Sequence, residues 1–322
     1  MKDLIKIIEI NSLVISGGGA KGFLTIGAIK LLFENNIISK IKYFYGTSFG
    51  SIISLLLCLG WDCDDILKFT INFPIECIVE YNLDMLIESY GLIPKDNFEI
   101  LFKKIIRYKN YDENITFKEL YDKTSKELNL ITYSLKNNSS NLLNHINTPD
   151  LKIWEGLYMT AALPMLLSPY EYNNDIFIDG GIVENFPINR VKPENINKMI
   201  GIYINTKINN LDKIKTKLID KNILNSIEYS FELIKVFLNT SRYQNLQYNC
   251  INIIHDYNDV NTTDISINSA YREKLIDMGY QQTTKQLPKI INLLFNKQIN
   301  EYKSEVSSKG AFKQSKLFYN EI

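Results

Sequence analysis

Histidine is almost missing from this chain: 322 residues contain 2, His145 and His255. Chemistry that needs an imidazole base or metal ligand is confined to those positions. Cysteine is also scarce, at 4 residues. Cys58, Cys63 and Cys77 crowd into one apolar segment and Cys250 stands apart, without a CxxC pair or a nearby histidine. That pattern argues against a zinc or disulfide framework and fits a reducing compartment. An excess of either charge is missing too, with 36 basic and 36 acidic residues, so a nucleic-acid partner is not expected. The longest apolar run, "SIISLLLCLGW", is about half of the roughly 20 residues a membrane-spanning helix needs. The opening "MKDLIKIIEINSLVIS" interleaves charge with apolar residues and lacks a signal-peptide core. The expectation is an intracellular, cytoplasmic protein without metal or cofactor.

What is present is an alternation of short apolar runs and helical periodicity. "SLVIS" (12–16) reads as a buried strand, "FLTIGAIKLLFENN" (23–36) as a helix, "KIKYFYG" (40–46) as a second strand, and the apolar run after it as a buried helix. This order predicts an α/β fold with a mostly parallel sheet covered by helices. Further on, 97–108 and 116–127 read as helices, and 128–135, 175–181 and 198–205 as strands or strand ends. Residues 206–250 suggest helices outside the sheet. No repeat or Pro/Gly linker divides the chain, so one domain is expected over 1–296, followed by a polar, loose tail over 297–322.

The chemistry concentrates in three glycine-flanked turns. Gly46-Thr47-Ser48-Phe49-Gly50 places a serine between strand and helix, the pattern of a nucleophile elbow. There the hydroxyl also sits at a helix N-terminus, where developing negative charge is stabilised; the plainer reading is that Ser48 caps that helix. A serine nucleophile needs a base. His255 would suit a Ser…Asp…His order, but nothing around it marks a catalytic loop; otherwise a carboxylate must take the proton. "GGGAKG" (17–22) fits the spacing of a dinucleotide loop, yet the strand that should carry its acidic partner has no carboxylate, Glu34 lying before it. The same N–H groups can converge on an oxyanion instead. In "FIDGG", Asp179 precedes Gly180 and Gly181, and the shortage of histidine turns a turn-forming aspartate into a candidate base.

These motifs, in this order, resemble the patatin-like phospholipase family: Gly17-Gly18-Gly19-Ala20-Lys21-Gly22, the elbow around Ser48, and Asp179-Gly180-Gly181. The segments 161–188 and 91–105 are similar to the family as well, and the motif-bearing part covers about 10–205. The resemblance implies a three-layer α/β/α fold and calcium-independent hydrolysis of acyl esters in phospholipids. It implies Ser48 as nucleophile, Asp179 as base, and an oxyanion hole from Gly17 to Gly19, with Lys21 adding charge. A triglyceride lipase or thioesterase using the same residues fits these motifs equally, and a non-catalytic lipid- or partner-binding protein on the same fold is the remaining alternative. The stretch 72–83 and the aromatic-bearing tail are candidate contacts with a lipid surface.

Overall fold

The computed structural model describes residues 1–72, 82–207, 249–256 and 267–318. The expected helices in 206–250, and most of the lipid-contact candidate 72–83, lie outside the described residues. The chain opens with α1 (Lys2–Ile7), β1 (Ser12–Ile15), α2 (Phe23–Glu34), β2 (Tyr43–Thr47), α3 (Phe49–Cys58) and α4 (Cys63–Asn72). It continues through α5 (Leu83–Ser89), β3 (Gly91–Ile93), α6 (Lys95–Tyr108), α7 (Phe117–Thr124), β4 (Glu127–Ser134), β5 (Ser139–Leu143) and α8 (Ile153–Ala161). There follow β6 (Met165–Leu167), β7 (Tyr170–Tyr172), β8 (Asp175–Asp179), the short α9 (Gly181–Glu184), β9 (Met199–Lys207), β10 (Cys250–Asp256) and α10 (Ser269–Phe318).

Local chemistry explains where the elements stop. α2 ends at Glu34, short of the expected Asn36, because Asn36 adopts a left-handed φ of 57°. α7 starts at a capping box, in which Thr116 Oγ1 accepts from the Glu119 N–H while Glu119 returns a bond to the Thr116 N–H. It stops at Thr124 and not at 127: Ser125 turns left-handed at φ 54°, freeing Glu127 to begin β4. β5 was not expected; its sequence "SSNLL" has only two apolar residues and gains its strand form by pairing with β4. α10 runs on through Lys297, where the polar tail was expected to begin.

β10, β9, β1, β2 and β4 lie side by side in that order and run parallel. β1 is central and wholly buried, which accounts for its uninterrupted apolar sequence. Its residues serve both faces. Leu13 and Ile15 enter the large core containing Leu24, Leu55, Leu56 and Leu275 from α2, α3 and α10. Val14 points the other way, with Tyr45 and Tyr203, towards Phe186, Ile188 and Val191. The sheet is thus mostly parallel and flanked by helices, as expected. No helix among the described residues is long and apolar enough to cross a membrane.

β4 carries three partners, and this fixes the layout of the site. Leu130 to Ser134 pair antiparallel with β5, while β2 pairs with β4 only up to Ile131. β8 pairs with Thr132 to Ser134. One edge of a strand holds one partner at a time, so β2 and β8 must share the edge opposite β5. β8 therefore descends towards the end of β2, and its last residue, Asp179, meets Thr132 just above the Thr47–Ile131 pair.

α2 and α10 cross at Gly27 and Gly279, where a Cβ on either residue would overlap the backbone of the other helix. Gly279→Leu is expected to destabilise the protein by about 2–3 kcal/mol through overpacking, lowering Tm by several degrees. Thermal denaturation followed by circular dichroism checks this; an unchanged Tm contradicts so close a crossing.

Candidate active site

Ser48 stands between the last residue of β2 and the first of α3, at φ 51° and ψ −124°. A non-glycine residue there carries strain on the order of 1–3 kcal/mol, so its surroundings must impose it. The flanking glycines allow the approach: a Cβ at Gly46 would lie 2.6 Å from the Gly50 carbonyl oxygen, and one at Gly50 would lie 2.5 Å from that of Ile15. Thr47 Oγ1 donates to the Glu184 carbonyl at 3.1 Å, and the Ser48 N–H donates to Thr160 Oγ1 at 3.0 Å. Phe49 seats its ring 5.5 Å from that of Phe23 on α2. The elbow is held from three sides.

Asp179 arrives at this turn through the shared edge of β4. Its side chain is buried, whereas Ser48 is half-buried. The Ser48 side chain faces the Asp179 carboxylate closely enough to favour its ionised form, and the Gly181 N–H donates to Oδ1 at 2.7 Å. The Asp179 N–H is held in turn by the Ala162 carbonyl at 2.9 Å. Gly180 and Gly181 lead from the strand into α9. A half-buried serine thus faces a buried carboxylate, an arrangement able to lose a proton and attack an electrophile.

The glycine loop lies against the elbow. A Cβ on Gly17 would stand 3.3 Å from Ser48 Cβ. Gly19 to Gly22 form a 3₁₀ turn that leads into α2 and buries Lys21. The Gly17 N–H donates to the Asn185 carbonyl at 3.0 Å, and Asn185 Nδ2 returns a bond to the Gly17 carbonyl at 3.3 Å. Gly17 is therefore committed to anchoring the loop through both of its backbone groups.

Neither histidine joins the site. His145 stacks on Tyr121 with ring centroids 3.8 Å apart and planes 6° apart. Burial holds its pKa below the ordinary value, and Glu127, at the start of β4, is the main opposing charge. That end of the sheet is opposite to the elbow. His255 is fully buried in β10, opposite Thr206 of β9. β9 and β1 separate β10 from β2, a lateral distance of about 14 Å at roughly 4.8 Å per strand. A direct proton transfer from Ser48 cannot span it.

Three groups were not expected: Thr160, the Ala162 carbonyl and Asn185. Asn185 and Ala162 fall within the 161–188 segment already singled out, and Thr160 immediately precedes it. Thr160 and Asn185 act on backbone groups of distant residues, and Ala162 through its own carbonyl, so none of them stands in a recognisable motif. Among the described residues, no group of His, Cys, Asp and Glu could hold a metal ion.

The sequence pattern described as patatin-like phospholipase matches residues 13–192. Protein R571 of Acanthamoeba polyphaga mimivirus is 28% identical over 293 residues, covering 88% of this chain and 96% of its own. A probable lipid hydrolase, 463L, of Invertebrate iridescent virus 6 is 33% identical over 182 residues, 55% of this chain and 61% of that protein. Triacylglycerol lipase 5 of Saccharomyces cerevisiae is 23% identical over 265 residues, but the match spans 34% of that longer protein. Among solved structures, VipD from Legionella pneumophila superposes with a TM-score of 0.54 at 18% identity, covering 87% of this chain and 67% of VipD. The type III effector ExoU gives 0.52 at 15% identity, covering 88% and 53% respectively. These two show the fold.

Burial raises the Asp179 pKa from 3.8 to about 6, against the lowering effect of the bonds from Gly181 and Ser48. Between those values the folded protein binds more protons than the unfolded chain, so this group destabilises the fold as pH rises through that window. At about 1.4 kcal/mol per pH unit, ionised Asp179 costs on the order of 3 kcal/mol at neutral pH. Asp179→Asn removes the charge and keeps an acceptor for Gly181. Its denaturation midpoint is expected above wild type at pH 7–8, with the gain vanishing below about pH 4. Equal midpoints at both pH values would mean that Asp179 carries no such penalty.

Proposed function

Since the chain belongs to the patatin-like phospholipase family and is a lipid ester hydrolase, we propose that it cleaves fatty-acyl esters of glycerophospholipids, without calcium, through Ser48 and Asp179. The observation that carries this reading is the placement of the half-buried Ser48 beside the buried Asp179 carboxylate, where β2 and β8 meet along β4.

Ser48 Oγ attacks the ester carbonyl carbon as its proton passes to Asp179. The carbonyl oxygen becomes an oxyanion, for which the Gly18 and Gly19 amides and the N-terminal end of α3 supply donors and a favourable dipole; Lys21 adds positive charge to the loop. The intermediate collapses, the C–O bond to the glycerol oxygen breaks, and Asp179 returns the proton to that leaving oxygen. Water, deprotonated by Asp179, then attacks the acyl-Ser48 ester; the bond from the acyl carbon to Ser48 Oγ breaks, Asp179 returns the proton to Ser48, and the fatty acid departs. A carboxylate whose pKa lies near 6 is mostly ionised at neutral pH yet basic enough to accept a proton in the transition state. The substrate lies in a membrane or lipid aggregate, so contact is peripheral and transient. The same residues would process a triglyceride or a thioester, because they act on the acyl carbonyl and do not read the leaving group.

Fatty-acid release from phosphatidylcholine vesicles in the presence of EDTA tests this. Wild type is expected to be active, and Ser48→Ala and Asp179→Asn to lose at least about a thousandfold in kcat/KM. Below a pH of about 6, kcat/KM should fall tenfold per unit, since only ionised Asp179 accepts the proton. His255→Gln, verified as folded, should stay active. Hydrolysis of trioleoylglycerol or acyl-CoA with silence on phospholipid would move the substrate class; silence on all three would sink the enzymatic reading.

A further inference from the structure

Thr160 is fully buried in the last turn of α8, and its hydroxyl touches three groups from three elements. The Ser48 N–H donates to it at 3.0 Å, Ser51 Oγ lies 3.2 Å away, and Thr160 Oγ1 donates to the Ile131 carbonyl of β4. A hydroxyl has one proton and two lone pairs, so these contacts saturate it. The assignment of the proton follows. Ser48 N–H can only donate and the Ile131 carbonyl can only accept, so the Thr160 proton points to Ile131 and Ser51 must donate its own to Thr160.

The same helix end holds the other half of the pair. Two residues beyond Thr160, the Ala162 carbonyl accepts the Asp179 N–H at 2.9 Å. Thr160 and Ala162 thus grip the backbones of Ser48 and Asp179 from a single rigid segment. Ile131, to which Thr160 is bonded, is opposite Thr47 across the sheet, and its carbonyl oxygen would lie 2.5 Å from a Cβ at Gly180. This one hydroxyl therefore sits where the elbow, the central strand and the aspartate turn converge.

We propose that Thr160 is a positioning residue: its hydroxyl sets the height of the Ser48 backbone relative to Asp179, so that the end of α8 determines the separation of the reacting hydroxyl and carboxylate. This rests on the reading of Ser48 as nucleophile and Asp179 as base. A valine at 160 keeps shape and volume but leaves the Ser48 N–H, the Ile131 carbonyl and the Ser51 hydroxyl without their partner. The strained φ at Ser48 then loses the bond that opposes its relaxation.

The test compares Thr160→Val, Thr160→Ser and Ser51→Ala with wild type in two readouts. In hydrolysis of a short-chain p-nitrophenyl ester, Thr160→Val is expected to lose about 100-fold in kcat with KM within about threefold, and Thr160→Ser to remain within about threefold of wild type. Ser51→Ala removes a bond from the same hydroxyl but not the one to Ser48, and should also stay within about threefold. In hydrogen exchange resolved by NMR, the Ser48 amide should exchange at least about tenfold faster in Thr160→Val while the Leu55 amide in α3 is unchanged. A folded Thr160→Val with wild-type kcat, an unchanged Ser48 exchange rate, or a loss in Ser51→Ala equal to that in Thr160→Val would each overturn the proposal. If Thr160→Val does not fold, Thr160→Cys, a weaker acceptor of similar size, is expected to lose about tenfold in kcat, and wild-type behaviour there would overturn it equally. A wild type inactive on every ester would remove the hydrolase reading, while the exchange experiment would still decide the role of Thr160.

Discussion

The site depends on one feature of sheet geometry: β2 and β8 occupy successive stretches of the same edge of β4. β2 runs parallel to β4 and leaves the edge after Thr47, because the chain turns at Ser48. β8 runs antiparallel and enters the vacated edge from the far end, finishing at Asp179. Two chains approaching head-on along one ladder must bring their terminal residues together. The serine and aspartate meet because of this register, and the glycines after each of them let the chain turn away without a clash.

That meeting point is costly for the fold. Ser48 is held at a positive φ, and Asp179 is a carboxylate withdrawn from water. The compensation is distributed around them. The core packed on β1 and α3 fixes the strand and helix that flank the turn, while hydrogen bonds from Thr47 to Glu184, from Ser48 to Thr160 and from Asp179 to Ala162 pin the backbone. Strain and desolvation of this kind persist only where the surrounding structure imposes them. The glycine loop is treated the same way, its first residue tied by two hydrogen bonds to Asn185.

The relatives match this frame over very different shares of their own length. The mimivirus protein matches along nearly its whole length, whereas the yeast lipase matches over a third of its own. VipD and ExoU keep the fold at 18% and 15% identity. The frame requires a parallel sheet, two tight turns and a buried carboxylate, and many apolar sequences of suitable volume can fill the space around them.

Much of this was legible in the sequence, because strand–turn–helix chemistry is local. The "SLVIS" and "KIKYFYG" runs, the glycines that flank Ser48, the Asn pair that ends α2 and the scarcity of histidine each speak through residue type alone. They were enough for the fold class, and they singled out Ser48 and Asp179 as candidates. Pairing across the sheet is different. "SSNLL" has no strand signature and becomes β5 only because β4 offers it an edge; Glu127 looks helical until Ser125 breaks the turn before it. Gly17 has the residue type of an oxyanion donor, yet its N–H is engaged by a carbonyl 168 residues away. Thr160 reads as an ordinary helix residue, and what it does depends on a backbone amide 112 residues distant. The sequence by itself determined which groups can react, since that is a property of side chains. The tertiary structure alone decided which of them touch and which amides remain open, because hydrogen bonds between distant backbone atoms depend on register and carry no mark of residue type.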